Sequence, residues 1–178
     1  MTEIYHTDEA NNLRFLLGRY HASPLIIMGV NPSTATPTKD DMTSKKVATF
    51  AEKLGFDGWV LCNLYPKRAT FIKDLPHRRS LAVHHENLLS LRRLLTQLPS
   101  PTIWAAWGNL IASRPYLRVC LKDIIRELNP FQPTWVHLGS RTLSGHPRHP
   151  SRMGYKEVPT PFLVEEYVQE LFEMSEKS

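Results

Sequence analysis

Four short apolar segments stand at wide intervals along the chain. They are residues 25–30, 59–64, 102–107 and 134–139, with the sequences LIIMGV, WVLCNL, TIWAAW and TWVHLG. Their apolar residues are continuous and do not alternate with polar ones, which is typical of strands covered on both faces. We therefore predict four buried parallel strands.

Segments with apolar residues at helical spacing lie between and outside these runs. They predict helices at residues 43–54, 79–98 and 109–128, an opening helix near 9–20 and a closing helix near 162–174. Alternation of strands and helices indicates right-handed crossovers. The predicted fold is a single α/β domain over residues 1–178, a three-layer α/β/α arrangement with a mostly parallel four-stranded central sheet.

A polar segment follows each predicted strand. The four segments are GVNPST, NLYPKRAT, WGN and HLGSRTLSGHPRHPSRM. Because ligands bind outside the carboxyl ends of the strands in such sheets, we expect these segments to meet at one edge and form a site.

Cysteine content and hydropathy narrow the classes of protein. Cys62 and Cys120 belong to no CxxC pair or Cys/His cluster, which favours a reduced protein without structural zinc. The first residues, MTEIYHTDEANN, lack the order of a signal peptide, and no apolar run reaches the roughly 20 residues that span a bilayer. We expect a cytoplasmic monomer that uses no metal and no cofactor and contacts no membrane.

Basic residues are concentrated in two parts of the chain, whose net charge is +5. Residues 67–93 contain seven basic and two acidic residues, and residues 140–156 contain four basic residues and no acid. This asymmetry favours a surface that attracts a polyanion such as DNA, although solvated helix surfaces have similar patterns.

Two asparagines stand where predicted strands meet rigid turns. Gly29 permits close backbone approach, and Pro32 fixes the turn that presents Asn31. Asn63 likewise precedes a turn with a proline. Each amide carries a donor and an acceptor that can read the edge of a base, or it can serve only its own turn.

Two histidines, His146 and His149, each precede a proline. A histidine in such a position is a hydrogen-bond donor, a metal ligand or a loop residue. Without a nearby cysteine or glutamate, the metal site is the least favoured of the three.

Taken together, these motifs resemble those of the uracil-DNA glycosylase superfamily. GVNPS is similar to the first motif, GWVLCNLYP to the strand that ends in a pyrimidine-reading asparagine, IWAAWGNLI to the strand ending in WG, and HPSRM to the last motif. At closer range, NPSTA, DDxT, NLYPxRAT and HPRHP resemble a bacterial and phage domain-of-unknown-function family, which brings no established activity.

The superfamily resemblance implies roles for individual residues. Asn31 falls at the water-positioning place, Asn63 at the base-reading place and His149 at the place that supports the departing base. Met153 falls where an apolar side chain enters the base stack. The implied base pocket consists of Gly29, Val30, Ser33, Asn63 and Tyr65. In this interpretation the groups that contact DNA are Arg68, Arg78, Arg79, Arg148, Arg152 and Met153.

The sequence also departs from the superfamily pattern at positions that affect the implied mechanism. An amide cannot act as a general base, so Asn31 implies slower turnover or another base, for which Asp41 and its neighbour Asp40 are candidates. Both acids can instead stabilise the start of a helix near residue 43. Ser33 stands where classical members of the superfamily have a larger tyrosine, which predicts a base with a bulky 5-substituent or another enlarged base. Either Tyr65 or Phe71 is a candidate for stacking.

The sequence therefore predicts a DNA glycosylase that flips out a modified base and hydrolyses its N-glycosidic bond, in repair or in a phage-related role. Two alternatives stay open. One is a hydrolase or transferase acting on free nucleotides or nucleosides, and the other is a non-catalytic nucleic-acid-binding module.

Overall fold

Seven strands form one sheet in the computed structural model, which describes residues 1–176. In chain order they are β1 Thr2–Thr7, β2 Arg14–Tyr20, β3 Leu25–Gly29, β4 Trp59–Asn63, β5 Thr102–Ala105, β6 Thr134–Leu138 and β7 Pro159–Pro161. Their order across the sheet is β1-β2-β4-β3-β5-β6-β7. The central four, β3 to β6, pair in parallel and are the four predicted strands. The α/β class is thus confirmed.

The sheet is wider than the predicted four strands, and that prediction is wrong in strand number. β1, β2 and β7 extend the parallel centre, and each pairs antiparallel with its neighbours. β1 and β7 are edge strands, largely exposed and without a continuous apolar run. A sequence pattern tuned to strands buried on both faces therefore misses them.

The predicted opening helix is also wrong, because its second half forms β2. Phe15 and Leu16 pack into one hydrophobic cluster, whereas Leu17 packs into the other. Leu16 and Leu17 are adjacent in sequence but pack into clusters on opposite faces of the sheet, as successive residues of a strand do. Gly18 fits the same strand, because a Cβ there would overlap the carbonyl oxygen of Trp59 in β4.

Helices cover both faces of the sheet. They are α1 Met42–Lys53, α2 Leu81–Thr96, α3 Pro115–Leu128 and α4 Val164–Glu176. All four helices were predicted, but the first residues of the third predicted helix belong to a separate 3₁₀ turn, Gly108–Ser113, and α3 begins only at Pro115. Asp41 caps the start of α1 and Ser80 caps the start of α2 through bonds to backbone N–H groups.

Two hydrophobic cores lie on opposite faces of the sheet. On one face, Phe50 of α1 packs edge-on against Trp104 of β5 at a ring-centroid distance of 5.2 Å. On the other face, Leu91 of α2, Leu121 of α3 and Tyr167 of α4 share a larger cluster. Burial of both faces explains the continuous apolar runs of the central strands.

The order of the parallel strands reverses beside β3. The chain passes from β3 to β4 on one side, and then crosses to β5 on the other side of β3. Such a reversal leaves a crevice at the carboxyl ends of the two flanking connections, where open α/β sheets bind ligands.

Candidate functional site

A pocket of about 240 Å³ opens at this crevice. It collects polar side chains from the ends of β3 and β4, from the start of α1 and from the loop after β6. Of the residues predicted for the site, those that line it are Gly29, Val30, Asn31, Ser33, Asp41, Asn63 and His149. Segments far apart in sequence thus meet at one edge of the sheet.

Asn63, the last residue of β4, forms part of the pocket wall and is 5% exposed. It lies opposite Gly29 in the parallel register, and a Cβ on Gly29 would lie only 3.1 Å from the Asn63 Oδ1. The backbone oxygen of Asn63 accepts a 2.9 Å hydrogen bond from the Asn87 Nδ2 of α2. The Asn63 Nδ2 is buried and finds no acceptor among the described residues. Gly29 therefore makes room for an amide whose donor is unused.

Asn31 is fixed through its amide nitrogen. Its Nδ2 donates to the carbonyl of Ala69 at 2.7 Å and to that of Pro32 at 3.1 Å. The Ala69 N–H in turn donates to the Pro32 carbonyl at 3.0 Å, which ties the loop after β4 to the turn after β3. The Oδ1 remains an acceptor that a ligand or water can use.

His149 is oriented by its neighbours. Its Nδ1 accepts a 3.3 Å hydrogen bond from the Ser151 N–H, so in the neutral ring Nε2 carries the proton. Burial lowers the pKa of His149 below its ordinary 6.5, while the nearby Asp41 opposes the shift. Gly108, in the turn after β5, has a φ of 59° that favours glycine, and it lies beside the His149 Cβ. The result is a neutral donor at the pocket.

The structure separates the two adjacent acids. Asp41 lines the pocket, and its Oδ1 accepts a 2.8 Å hydrogen bond from the Ser44 N–H at the start of α1. Asp40 lies outside the pocket, where it accepts from the Ser44 hydroxyl and stands 3.8 Å from Arg19. Only Asp41 is therefore available to act on a ligand, and it caps the helix as well.

The remaining predicted pocket residues divide into two groups. Val30 is buried in the wall, and Ser33 lines the pocket near its rim. Tyr65 packs elsewhere: it is 3% exposed, its hydroxyl accepts from the Ser80 N–H, and its ring stands edge-on to Tyr116. Its predicted base contact does not fit this position, because the Tyr65 ring belongs to the core and does not line the pocket.

The predicted DNA-binding arginines also differ in their surroundings. Arg78 and Arg152 are exposed, and Arg148 keeps its Nε on the Ser140 carbonyl at 2.8 Å. Arg79 instead forms a 2.8 Å ion pair with Asp123 between α2 and α3. Arg68 is bonded within the protein, through Nη1 to the Ser33 carbonyl and through Nη2 to the Tyr5 hydroxyl. Arg79 and Arg68 thus use terminal guanidinium nitrogens for internal contacts, whereas the internal bond of Arg148 is made by its Nε, and Arg78 and Arg152 are exposed.

Met153 does not protrude as its predicted wedge role requires. It is 7% exposed and belongs to the core cluster under α1, with Phe50 and Trp104. A fully exposed apolar side chain lies elsewhere on the same loop region, at Leu143. Leu143 lines a second, wider groove of about 710 Å³ beside the pocket, together with Arg148 and Arg152.

Several of the residues that line the pocket were not assigned from the sequence, among them Arg14, Trp107 and Cys62. Arg14 begins β2, which was predicted as helix, and Trp107 follows β5 in the WG sequence that was noted only as a motif. Cys62 also lines the pocket, but burial raises the pKa of its thiol far above the usual range, so it is no nucleophile at neutral pH. The available signal for Arg14 was an arginine at the head of the apolar run FLL.

The family model described as "Protein of unknown function (DUF1643)" matches residues 14–151, more than half of the chain. The chain belongs to the DUF1643 family. All residues that line the pocket, from Arg14 to Pro150, fall within the matched segment. No curated protein and no solved structure matches the chain. The pocket of this DUF1643 protein must therefore be interpreted from its chemistry.

A metal-binding cluster and a membrane-spanning helix are both absent from residues 1–176 of the DUF1643 protein. Across residues 1–176, no three His, Cys, Asp or Glu side chains form a group that could hold a metal ion. His146, the first histidine of the HPRHP motif, is buried, and its Nδ1 lies 2.8 Å from the Tyr167 hydroxyl. None of the helices in the described part of the chain has the length and apolar character needed to span a bilayer.

Proposed function

We propose that this protein is a monofunctional DNA glycosylase with a uracil-DNA-glycosylase-like fold, which flips a base into the pocket and hydrolyses its N-glycosidic bond. One observation carries the proposal: Asn31, Asn63 and His149 meet in one pocket at the strand ends. Each supplies the kind of polar group that the reaction needs. The parallel centre of the sheet, covered by helices on both faces, supports the fold assignment.

The size of the pocket suits one heterocyclic ring. A cavity of about 150 Å³ in another protein holds benzene. The 240 Å³ here therefore leaves space for a pyrimidine with a substituent. Ser33, which lines the pocket, adds to that space, because it is much smaller than the tyrosine that classical members of the superfamily have at this place. A base with a bulky 5-substituent is thus the favoured substrate.

Asn63 is the residue that reads the base. Its buried Nδ2 has no acceptor among the described residues, and a base edge that enters the pocket supplies one. Leaving a buried donor unpaired costs about 1–3 kcal/mol, and a correct base recovers that cost when it binds. A base that presents a donor at the same place recovers none of it. The amide thereby contributes selectivity as well as affinity.

His149 stabilises the departing base. Cleavage of the C1′–N bond leaves the electron pair on the ring nitrogen of the base, and the negative charge spreads onto the carbonyl oxygens of the base. The protonated Nε2 of the neutral imidazole donates a hydrogen bond to that charge. Because burial keeps the pKa of this histidine low, its donor role does not depend on a full positive charge.

Water attack completes the reaction. The free Oδ1 of Asn31 accepts a hydrogen bond from the water and orients its oxygen toward C1′. Asp41 takes the proton of that water, since its carboxylate lines the same pocket. The products are the released base, which acquires a proton, and an abasic sugar.

The groove beside the pocket supplies the DNA surface. It shares Trp107 and His149 with the pocket, and Arg148 and Arg152 on its wall suit phosphates. Leu143 is a fully exposed apolar residue of the groove, and it can enter the space left by a flipped base. Leu143 thus takes the wedge role that the buried Met153 cannot fill.

The test uses oligonucleotides that each carry one modified pyrimidine, in single- and double-stranded form. Abasic sites are revealed by alkaline cleavage, and released bases are identified by mass spectrometry. We expect release by wild type and its loss in Asn31→Ala and His149→Ala. His85→Ala, at an exposed position in α2, serves as the matched control and should retain activity.

Other results would support the two alternatives. DNA binding that weakens steeply with salt but releases no base would support a non-catalytic module that recognises a modified base. Cleavage of free nucleosides by a protein without DNA affinity would support a nucleoside hydrolase. Wild-type rates in both pocket variants would contradict the proposed roles of Asn31 and His149.

A further inference from the structure

Arg14 is a buried cation in the pocket. It is the first residue of β2, only 3% exposed, and it lines the pocket together with Asn31 and Asn63. Its backbone N–H donates to the Pro66 carbonyl at 2.9 Å, which fixes the start of the strand. The proposed hydrolysis does not use this residue.

The guanidinium of Arg14 has few partners. Its Nη1 donates to the Ala35 carbonyl at 3.0 Å, whereas its Nε is buried and has no acceptor within residues 1–176. The ion pairs of the described chain do not include Arg14. A guanidinium carries five N–H donors, so most of its capacity is unused.

The charges around Arg14 do not neutralise it. Arg68 lies on the other side of the same turn and also reaches the Ala35 carbonyl, at 3.4 Å, without a carboxylate partner of its own among the described residues. Among the carboxylates, the charge of Asp41 raises the pKa of Arg14, but one oxygen of Asp41 already caps α1. Burial, and next the charge of Arg68, lower the pKa of Arg14 to about 10, so it stays protonated at neutral pH.

A buried charge without an ionic partner lowers the stability of the fold unless a ligand pairs with it. Buried cations in proteins are normally paired, and removing the partner of such a group is strongly destabilising. Ile27, Leu61 and Trp107 add apolar surface to the same pocket, which suits a flat ring. The pocket thus combines a ring-sized apolar part with an unneutralised, fork-shaped donor.

We propose that the pocket is an anion site, in which Arg14 binds a carboxylate or another oxyanion attached to a heterocyclic ring. The planar fork of the guanidinium matches two oxygens of such a group, while the ring occupies the apolar part. This inference depends only on the pocket and not on glycosylase activity. Base release and anion binding can therefore fail independently of each other.

The experiment measures binding of small ligands by isothermal titration calorimetry. The probes are uracil, uracil-5-carboxylate, uridine 5′-monophosphate and inorganic phosphate, which separate a ring carboxylate from a phosphate as the source of the anion. Wild type should bind its preferred anionic ring at least about tenfold more tightly than uracil, equivalent to about 1.4 kcal/mol. Arg14→Gln should remove this preference, and Arg14→Lys should keep part of it because the charge remains.

Arg19→Gln is the matched control, since Arg19 lies on the same strand but outside the pocket. It should leave the preference unchanged, and thermal melting of each variant checks that it folds. Equal affinity of wild type for uracil and for the anionic probes would overturn the proposal, whatever the variants do. So would failure of every anionic probe to bind at millimolar concentration, or an undiminished preference in folded Arg14→Gln.

Discussion

Replacement of Asn63 by alanine should abolish base release and leave the fold intact. The amide can make two hydrogen bonds to a base edge, and each bond to a group that gains charge is worth about 1.5–3 kcal/mol. Their loss together lowers the rate by about 10²–10⁴-fold. Stability should change little, because removing a buried donor that costs about 1–3 kcal/mol offsets the packing that is lost.

Asn87→Ala is the matched control for this prediction. Asn87 is also a fully buried asparagine, but it donates to the backbone of Asn63 from α2 and lies outside the pocket. We expect this variant to lose stability, in urea denaturation, and to keep most of its activity per folded molecule. Single-turnover base release then separates the two positions. Release at the wild-type rate by Asn63→Ala, or equal losses in both variants, would refute the reasoning.

Five further substitutions test the other pocket and loop residues. Asp41→Asn should slow base release while the melting temperature stays unchanged, because asparagine caps a helix as well as aspartate does; an undiminished rate removes Asp41 as the base. Met153→Ala should lower the free energy of unfolding by about 2–5 kcal/mol in urea titrations, as expected for a core methionine. Leu143→Ala should slow base release from duplex DNA more than from single-stranded DNA, because only the duplex has a base stack that a wedge must enter. Ser33→Tyr should slow release of a large base more than of uracil, and an unchanged preference would show that Ser33 is only a turn residue. Burial lowers the pKa of His149, so stability should decrease as pH falls below 6.5, where the unfolded chain takes up a proton first; His149→Gln should flatten that part of the melting-temperature profile.

The parallel centre of the sheet and the place of the site were predictable for a common reason. Strands covered on both faces must be apolar throughout, so β3 to β6 stand out, and the polar turns after them have to meet at one edge. Asn31, Asn63 and His149 were found this way, because each follows or ends a recognisable strand.

The remaining features depend on tertiary contacts that leave weak local signals. β2 carries Gly18 and two arginines, and only its neighbour β4 shows why that glycine is needed. The pattern therefore placed Arg14 in a predicted helix, and Arg14 was not selected as a site residue. The direction of Met153 into the core also follows from packing against α1, which its spacing from His149 does not encode.

Arg14 and Asn63 both retain buried donors that the described chain does not satisfy. Residues of this kind are poor choices for stability alone, and proteins commonly trade some stability for a working site. A library of variants selected only for resistance to heat should therefore tolerate, or even enrich, replacements at these two positions. The same library should reject replacements of Asn87, because its Nδ2 holds the end of β4, even though its own Oδ1 is also buried without a donor among the described residues. Enrichment of replacements at Arg14 and Asn63 after heat selection would mark the pocket as a region in which function lowers stability.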